Sequence, residues 1–556
     1  MGYAMSRLEM DSELCDGDKT MPEAGSSKRA SKSLNMLDHE IAQVTKLNSS
    51  PHKQLAKLVP GTQKLSVSPV KMLVGREANY SARGRFSAAD RCHMLSRYLP
   101  VKGPWLVDQM STRAYVSQFS ADGSLFVAGF QGSYIRIYNV EDGWKVQKNI
   151  LAKSLRWTVT DTSLSPDQRH LAWDTCKNNS PVSLGGLYVF INWENTCLPD
   201  YEVGSSPDRI GAVAQLMMLD YIHNDRSTFN NHQNLKVVQA STLEGACYRS
   251  SSLVYASMSP IVHIVDVRSA ETESLANVTE FHDGLDFSSS SDGSYSFGIF
   301  SVKFSTDGRE LVAGSSDDSI YVYDLEQNKL SLKILAHTSD VNTVCFADES
   351  GHLLFSGSDD NLCKVWDRRC FIAKGKPAGV LSGHLEGITF IDSHGDGRYF
   401  ISNGKDQTIK LWDIRKMAPN ATSYSGLRNY EWDYRWMDYP YEARDLKHPS
   451  DQSIATYKGH SVLRTLIRCY FSPVYSTGQK YIYTGSHDSC VYIYDLVTGE
   501  RVASLQHHKS TVRDCSWHPY YPMLVSSSWD GDVVKWEFPC NGEAQVPATK
   551  KRIRRQ

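Results

Sequence analysis

Three groups of side chains recur along this chain in a pattern that, met once, would suggest a hydrolase: His337 with Ser356 and Asp360, His384 with Ser402 and Asp406, and His508 with Ser526 and Asp530. A histidine that takes a proton from serine while a carboxylate orients its ring is the arrangement of acyl transfer. Recurrence argues against that chemistry here, because a catalytic site is made once whereas a structural bond is repeated with every copy of a repeated unit. A weaker fourth group, His460, Thr484 and Asp488, keeps the same order. The second chemistry on offer belongs to arginine. Val365-Trp366-Asp367-Arg368-Arg369 and Leu411-Trp412-Asp413-Ile414-Arg415 each place an arginine two residues past a Trp-Asp pair, and Val265-Asp266-Val267-Arg268 is a degenerate third case. A guanidinium is a permanently charged planar fork that pairs bidentately with a carboxylate, so these positions suit recognition rather than catalysis. The cysteines form no C-x-x-C and no Cys/His cluster at zinc spacing, and no phosphate-binding glycine loop occurs. No metal and no cofactor are therefore expected.

The elements that carry these residues repeat from Tyr115 onward. An alternating strand, a D-G turn, a second strand, a Ser/Gly/Asp turn and a third strand ending in an aromatic and an acid follow one another. Seven copies end near Asn139, Asp266, Asp324, Asp367, Asp413, Asp495 and Glu537. The intervals between Asp324, Asp367 and Asp413 match the roughly 40 to 45 residues of a four-stranded blade. The expectation is an all-β, seven-bladed propeller over residues 101–540. No outer strand follows the seventh copy, so the ring should be closed by a strand around Trp105-Leu106-Val107, which covers an otherwise unpaired edge.

Several stretches break the pattern. Residues 1–85 are polar and poor in aromatics, which predicts mostly disorder, with a short helix over 34–47 whose apolar face is Leu34, Leu37, Ile41 and Val44. Residues 86–100 predict a docking or packing helix, with Ser87 and Asp90 as a capping box and Met94, Leu95 and Tyr98 as its apolar face. Aligning the second copy with the third starts a strand at Leu171 and resumes it at Val254, so Ala172 to Leu253 reads as an anomalous insert inside a strand, of the kind translated intron sequence would give. Phe281 to Ser296 is Ser-rich and reads as a mobile loop. Lys416 to Gln452 holds a Trp/Tyr/Arg cluster that either packs back on the propeller or binds a partner. Residues 541–556 form a basic disordered tail, with Lys550 to Arg555 as a nuclear-import candidate.

Sixty basic and sixty-two acidic residues leave a net charge of −2, which speaks against direct binding of nucleic acid or an anionic membrane. No apolar run long enough to span a bilayer or direct secretion is seen. A soluble protein of a reducing compartment, nuclear and/or cytoplasmic, is the expectation.

The repeats resemble the WD-repeat family. In that family His, Ser or Thr, Asp and Trp of one repeat form a hydrogen-bonded relay, which the resemblance assigns to His337, Ser356, Asp360 and Trp366, to His384, Ser402, Asp406 and Trp412, and to His508, Ser526, Asp530 and Trp536. His460, Thr484 and Asp488 with Tyr494 match it less well. Trp366-Asp367-Arg368-Arg369 and Trp412-Asp413-Ile414-Arg415 resemble the W-D-x-R box of WD-repeat substrate receptors of cullin-4 RING ubiquitin ligases. The run Gly84 to Pro100 together with the aromatic insert is similar to the cullin-4-associated factor family, in the branch of its eleventh member and that branch's plant relatives. The resemblance implies a non-catalytic receptor. Asp367, Arg369, Asp413, Arg415 and Arg268 would meet the ligase's damaged-DNA-binding adaptor, bordered by Lys416 to Gln452, while the opposite face bearing Phe281 to Ser296 takes an unidentified protein substrate. The alternative is a general interaction scaffold with no ligase link. An RNA-associated propeller and an enzyme rank below both.

Overall fold

Apolar residues on both faces of a strand call for cover on both sides, and a ring of sheets packed face to face supplies it. The computed structural model describes residues 40–49, 73, 76–77, 86, 88–132, 134–152, 158–166, 252–267, 283–288, 297–370, 376–419 and 432–538. They form seven four-stranded sheets, all antiparallel in their described pairings. Their third strands are Tyr134–Asn139, Ser259–Asp266, Ser319–Asp324, Cys363–Asp367, Thr408–Asp413, Cys490–Asp495 and Asp532–Glu537, each ending where the sequence places the end of a copy. Apolar clusters bridge neighbouring blades. Val312, Ile320 and Val322 of the third pack with Val341, Val344, Leu354 and Trp366 of the fourth.

The seventh sheet takes its outer strand, Lys102–Gln109, from the N-terminal side, with Trp105 opposite Lys535 and Leu106 opposite Val534. This pairing removes the exposed edge and closes the ring. Gly531 makes the closure possible: its φ is 87°, and a Cβ there would lie 1.9 Å from the Met110 carbonyl oxygen.

Four features depart from the sequence reading. The second blade is complete, built from Val159–Leu164, Ser252–Ser257, Ser259–Asp266 and Asp283–Asp286. Its second strand includes Leu253, fully buried and paired with Leu164, a residue the sequence reading puts in the insert; Leu171 lies outside the described residues. The described chain leaves this sheet after Leu164 and re-enters it at Ser252; residues 167–251 lie outside the described residues. The Ser-rich stretch begins not as a loop but as this blade's outer strand, Asp283–Asp286, with Leu285 and Phe287 buried.

Both flanking helices bury smaller side chains beside or in place of those expected, although Ile41 is buried as expected. Helix α1 is Glu40–Ser49 and buries Ile41, Ala42 and Thr45, whereas Val44 is exposed and Leu34 and Leu37 lie outside the described residues. Helix α2, Ala88–Leu95, buries Ala89 and Cys92 rather than Met94 and Leu95, and Tyr98 is exposed; Ser87 lies outside the described residues. Close approach selects the small side chains. The Cys92 thiol donates to the Val474 carbonyl at 3.3 Å in the short helix α3, Val474–Thr477, of the sixth blade. Arg91 lies over the Tyr475 ring at 3.5 Å, and the Tyr481 hydroxyl donates to the Ser96 carbonyl at 2.9 Å. Thus α2 spends its inner face on the propeller.

The fourth departure concerns the aromatic insert. It leaves the fifth blade at the Asp413 end of Thr408–Asp413, but its described part does not stay there. Thr408 pairs with Lys458, so the turn holding Leu463 and Arg464 lies at the other end of the blade. There the Arg464 N–H donates to the Tyr434 carbonyl at 2.8 Å, and Trp432, Tyr434, Tyr439 and Ala443 pack with Leu463. Lys405 sits 3.9 Å from the centre of the Tyr434 ring. The aromatics have crossed to the face away from Arg415, because an apolar hollow at Leu463 offers them burial. Trp436 and Tyr441 stay 60% and 77% exposed.

Candidate functional site

Three of the four Ser/His/Asp groups assemble in the same way. His337 bonds Asp360 at 2.8 Å and Ser356 at 2.8 Å, and the Trp366 indole N–H donates to the same serine at 2.8 Å. In the next blade His384 bonds Asp406 at 3.0 Å and Ser402 at 2.6 Å, with Trp412 donating at 2.7 Å. In the seventh His508 bonds Asp530 at 3.2 Å and Ser526 at 2.8 Å, with Trp536 donating at 2.9 Å. The serine oxygen is therefore committed to an indole and an imidazole inside the blade. That geometry ties the third strand to the turn preceding the first, which is a structural task. Burial opposes ionisation of Asp406, yet the adjoining His384 brings it down to about 2.

The sixth blade departs from this plan. His460 turns to the Asn403 side-chain oxygen at 3.0 Å and the Tyr494 hydroxyl at 3.3 Å, Thr484 donates to the Arg468 carbonyl at 2.9 Å, and Asp488 accepts from Tyr492 at 2.6 Å. Tyr494 has no indole N–H to offer at the threonine, so no relay forms. His460 is buried and pushed down to about 4, as is His518. A buried histidine that stays neutral in the folded chain but ionises near 6.5 when unfolded favours the unfolded state as the pH falls between these values. Each such residue should withdraw about 2 kcal/mol of stability by pH 5. The melting temperature is expected to fall from pH 7 to pH 5, and His460→Gln should flatten that fall; an unchanged slope would contradict the assignment.

The arginines of the two Trp-Asp boxes lie at the same end of adjacent blades. Arg369 forms a two-point pair with Asp367, Nε at 2.9 Å and Nη2 at 2.7 Å, while remaining 64% exposed. Arg415 reaches Asp413 at 3.2 Å and Glu40 of α1 at 3.0 Å, and is 56% exposed. Each acid also accepts its arginine's backbone N–H at 3.0 Å, forming a tight turn that aims the guanidinium outward. Hydrogen bonding to Arg369 holds the Asp367 carboxyl below its ordinary range. Arg268 lies outside the described residues.

A third cluster escaped the sequence reading. Arg468, on the inner wall of the sixth blade, reaches Asp161 of the second at 2.8 Å and Asp514 of the seventh at 3.3 Å. Asp161 also accepts the Val302 N–H at 3.0 Å and Lys303 at 3.1 Å from the third blade, and Asp514 accepts the Ser117 N–H at 2.8 Å from the first. Arg513 adds a bond to the Thr160 carbonyl at 3.1 Å. Five blades thus meet in one ionic brace on the propeller axis. The signal was present: Val159-Thr160-Asp161, Ile467-Arg468-Cys469 and Arg513-Asp514-Cys515 put charge in or beside the buried first strands.

Comparison with known proteins agrees with this architecture. The family model described as WD domain, G-beta repeat, matches residues 375–413, 451–495 and 499–537, and that of the Nucleolar protein 10-like, N-terminal domain, matches 227–393. The LEC14B protein of Lithospermum erythrorhizon is 59% identical over the full length of both chains. The LEC14B homolog of Prunus armeniaca is 58% identical over 99% of this chain and 98% of its own. A DDB1- and CUL4-associated factor 11 homolog of Caenorhabditis briggsae is 43% identical over 45% of each chain. With this fold and that end-to-end identity, the chain belongs to the LEC14B family of WD-repeat proteins.

Proposed function

We propose that this chain is a non-catalytic substrate receptor of a cullin-4 RING ubiquitin ligase, docking through Arg369 and Arg415 onto DDB1, the damaged-DNA-binding adaptor. The observation that carries the reading is the pair of exposed guanidiniums, each aimed outward by its own aspartate from one end of adjacent blades. The likeness to DDB1- and CUL4-associated factor 11 homologs over less than half the chain supports it. The substrate then meets the opposite face, where Trp436 and Tyr441 stand exposed. Such a protein performs no bond chemistry; it raises the substrate's local concentration beside the ligase-bound ubiquitin carrier.

Purified DDB1 should bind the wild-type chain and lose about 30-fold or more in affinity for Arg369→Ala plus Arg415→Ala, as expected when interface anchors are removed. The melting temperature should barely change, because exposed pairs contribute little to folding. Equal binding by both chains would refute the docking role, and no binding by either would leave a general scaffold.

A further inference from the structure

Arg415 and Arg369 sit in equivalent turns, yet they are not equally available. Among the described residues Arg369 pairs with Asp367 alone. Glu40, the first residue of α1, instead accepts from both Arg415, at 3.0 Å, and Arg398. Arg398 in turn grips Asp413 at 2.9 Å and lies over the Tyr399 ring at 4.5 Å, so two cations and two acids form one knot at the end of the fifth blade. Behind Glu40, Ile41 is buried in the cluster containing Tyr399 and Phe471, and Asn48 lies where a Cβ on Gly478 would meet it at 3.4 Å. The Ser49 carbonyl closes the helix onto His93 of α2 at 3.1 Å.

We propose that Glu40 occupies, within the chain itself, the position that an acidic side chain of a docking partner takes on Arg398 and Arg415. The surface is one that accepts a carboxylate, and α1 is its resident occupant. Three properties suit α1 to being displaced. It is only ten residues long, below the length at which a helix holds its shape unaided. It buries only three side chains. Its pair with Arg415 is more than half exposed, Glu40 at 55% and Arg415 at 56%, so that pair is weak and can be exchanged for a partner's, while Arg398, 24% exposed, is the firmer of its two holds. The identity of that partner as DDB1 rests on the receptor reading; the latch does not.

The test uses the full-length chain and its Glu40→Gln, Arg415→Ala and doubly substituted forms. Amide exchange over residues 41–49 should quicken about two- to fivefold in each single variant, the size of effect an exposed pair supports. DDB1 should bind Glu40→Gln about two- to fivefold more tightly than wild type, with no such gain once Arg415 is also alanine. Unchanged exchange in Glu40→Gln would overturn the latch. Quicker exchange with weaker DDB1 binding would overturn the competition and make α1 part of the docking surface. If no form binds DDB1, the receptor reading fails, while the exchange data still decide whether Glu40 secures α1.

Discussion

Arg468→Ala will cost about 3–5 kcal/mol of folding stability, the loss expected when one partner of a buried ionic group is removed. Arg468 is buried, and its removal leaves Asp161 and Asp514, both fully buried, without the cation they share. Burial alone would push the Asp161 carboxyl up, but Arg468 and Lys303 outweigh it and hold it below the ordinary value. Its contribution to stability is therefore present above the ordinary pKa of Asp and is lost as the pH falls through the depressed value. In the alanine variant that balance reverses. Asp161 must stay charged with Lys303 alone or take up a proton, so the variant's deficit should be larger at pH 8 than at pH 5. Chemical denaturation at the two pH values measures both effects. A loss below about 1 kcal/mol would mean that packing alone holds the axis. Arg468→Lys keeps the charge but not the fork that spans two acids, and should fall between.

Trp412→Ala will cost a similar amount, about 3–5 kcal/mol. The indole is fully buried and stacks with Phe400, their ring centres 6.2 Å apart. It also donates to Ser402, so its loss opens a cavity and removes one of that serine's two partners. Trp412→Phe separates these contributions. It retains most of the apolar ring and should cost about 1–2 kcal/mol, the worth of an unmade buried hydrogen bond. The sixth blade runs the equivalent comparison naturally, since Tyr494 stands where Trp412 does and its histidine finds other partners. Equal losses in the two variants would show that the hydrogen bond, not the ring volume, dominates.

What could be read from the sequence follows from which forces are local. Strand ends were legible because a Trp-Asp or Tyr-Asp pair and a following turn are short-range signals, and closure by Trp105-Leu106-Val107 was legible because a sheet edge has to be covered. The buried faces of α1 and α2 were only partly legible, because hydropathy favours Val44 and Met94, whereas the helices bury the smaller Thr45 and Cys92, the latter bonded to the Val474 carbonyl. The course of the aromatic insert was hidden for a related reason: Leu463, which receives Trp432 and Tyr439, is 31 and 24 residues away from them along the chain. The axial brace needed partners more than three hundred residues apart, as Asp161 and Arg468 are. Glu40 gave no sign that it would reach Arg415, since nothing in a lone glutamate names its partner.

On the proposed reading DDB1 docks at one end of the propeller, marked by the two outward arginines, while the aromatic face stays open. Hydrogen–deuterium exchange of the full-length chain with and without purified DDB1 tests it most directly. The expected result is protection confined to the turns at Asp367–Cys370 and Asp413–Lys416, with residues 432–447 unchanged. Protection of residues 432–447 with none at the arginine turns would contradict it and place the adaptor on the opposite face.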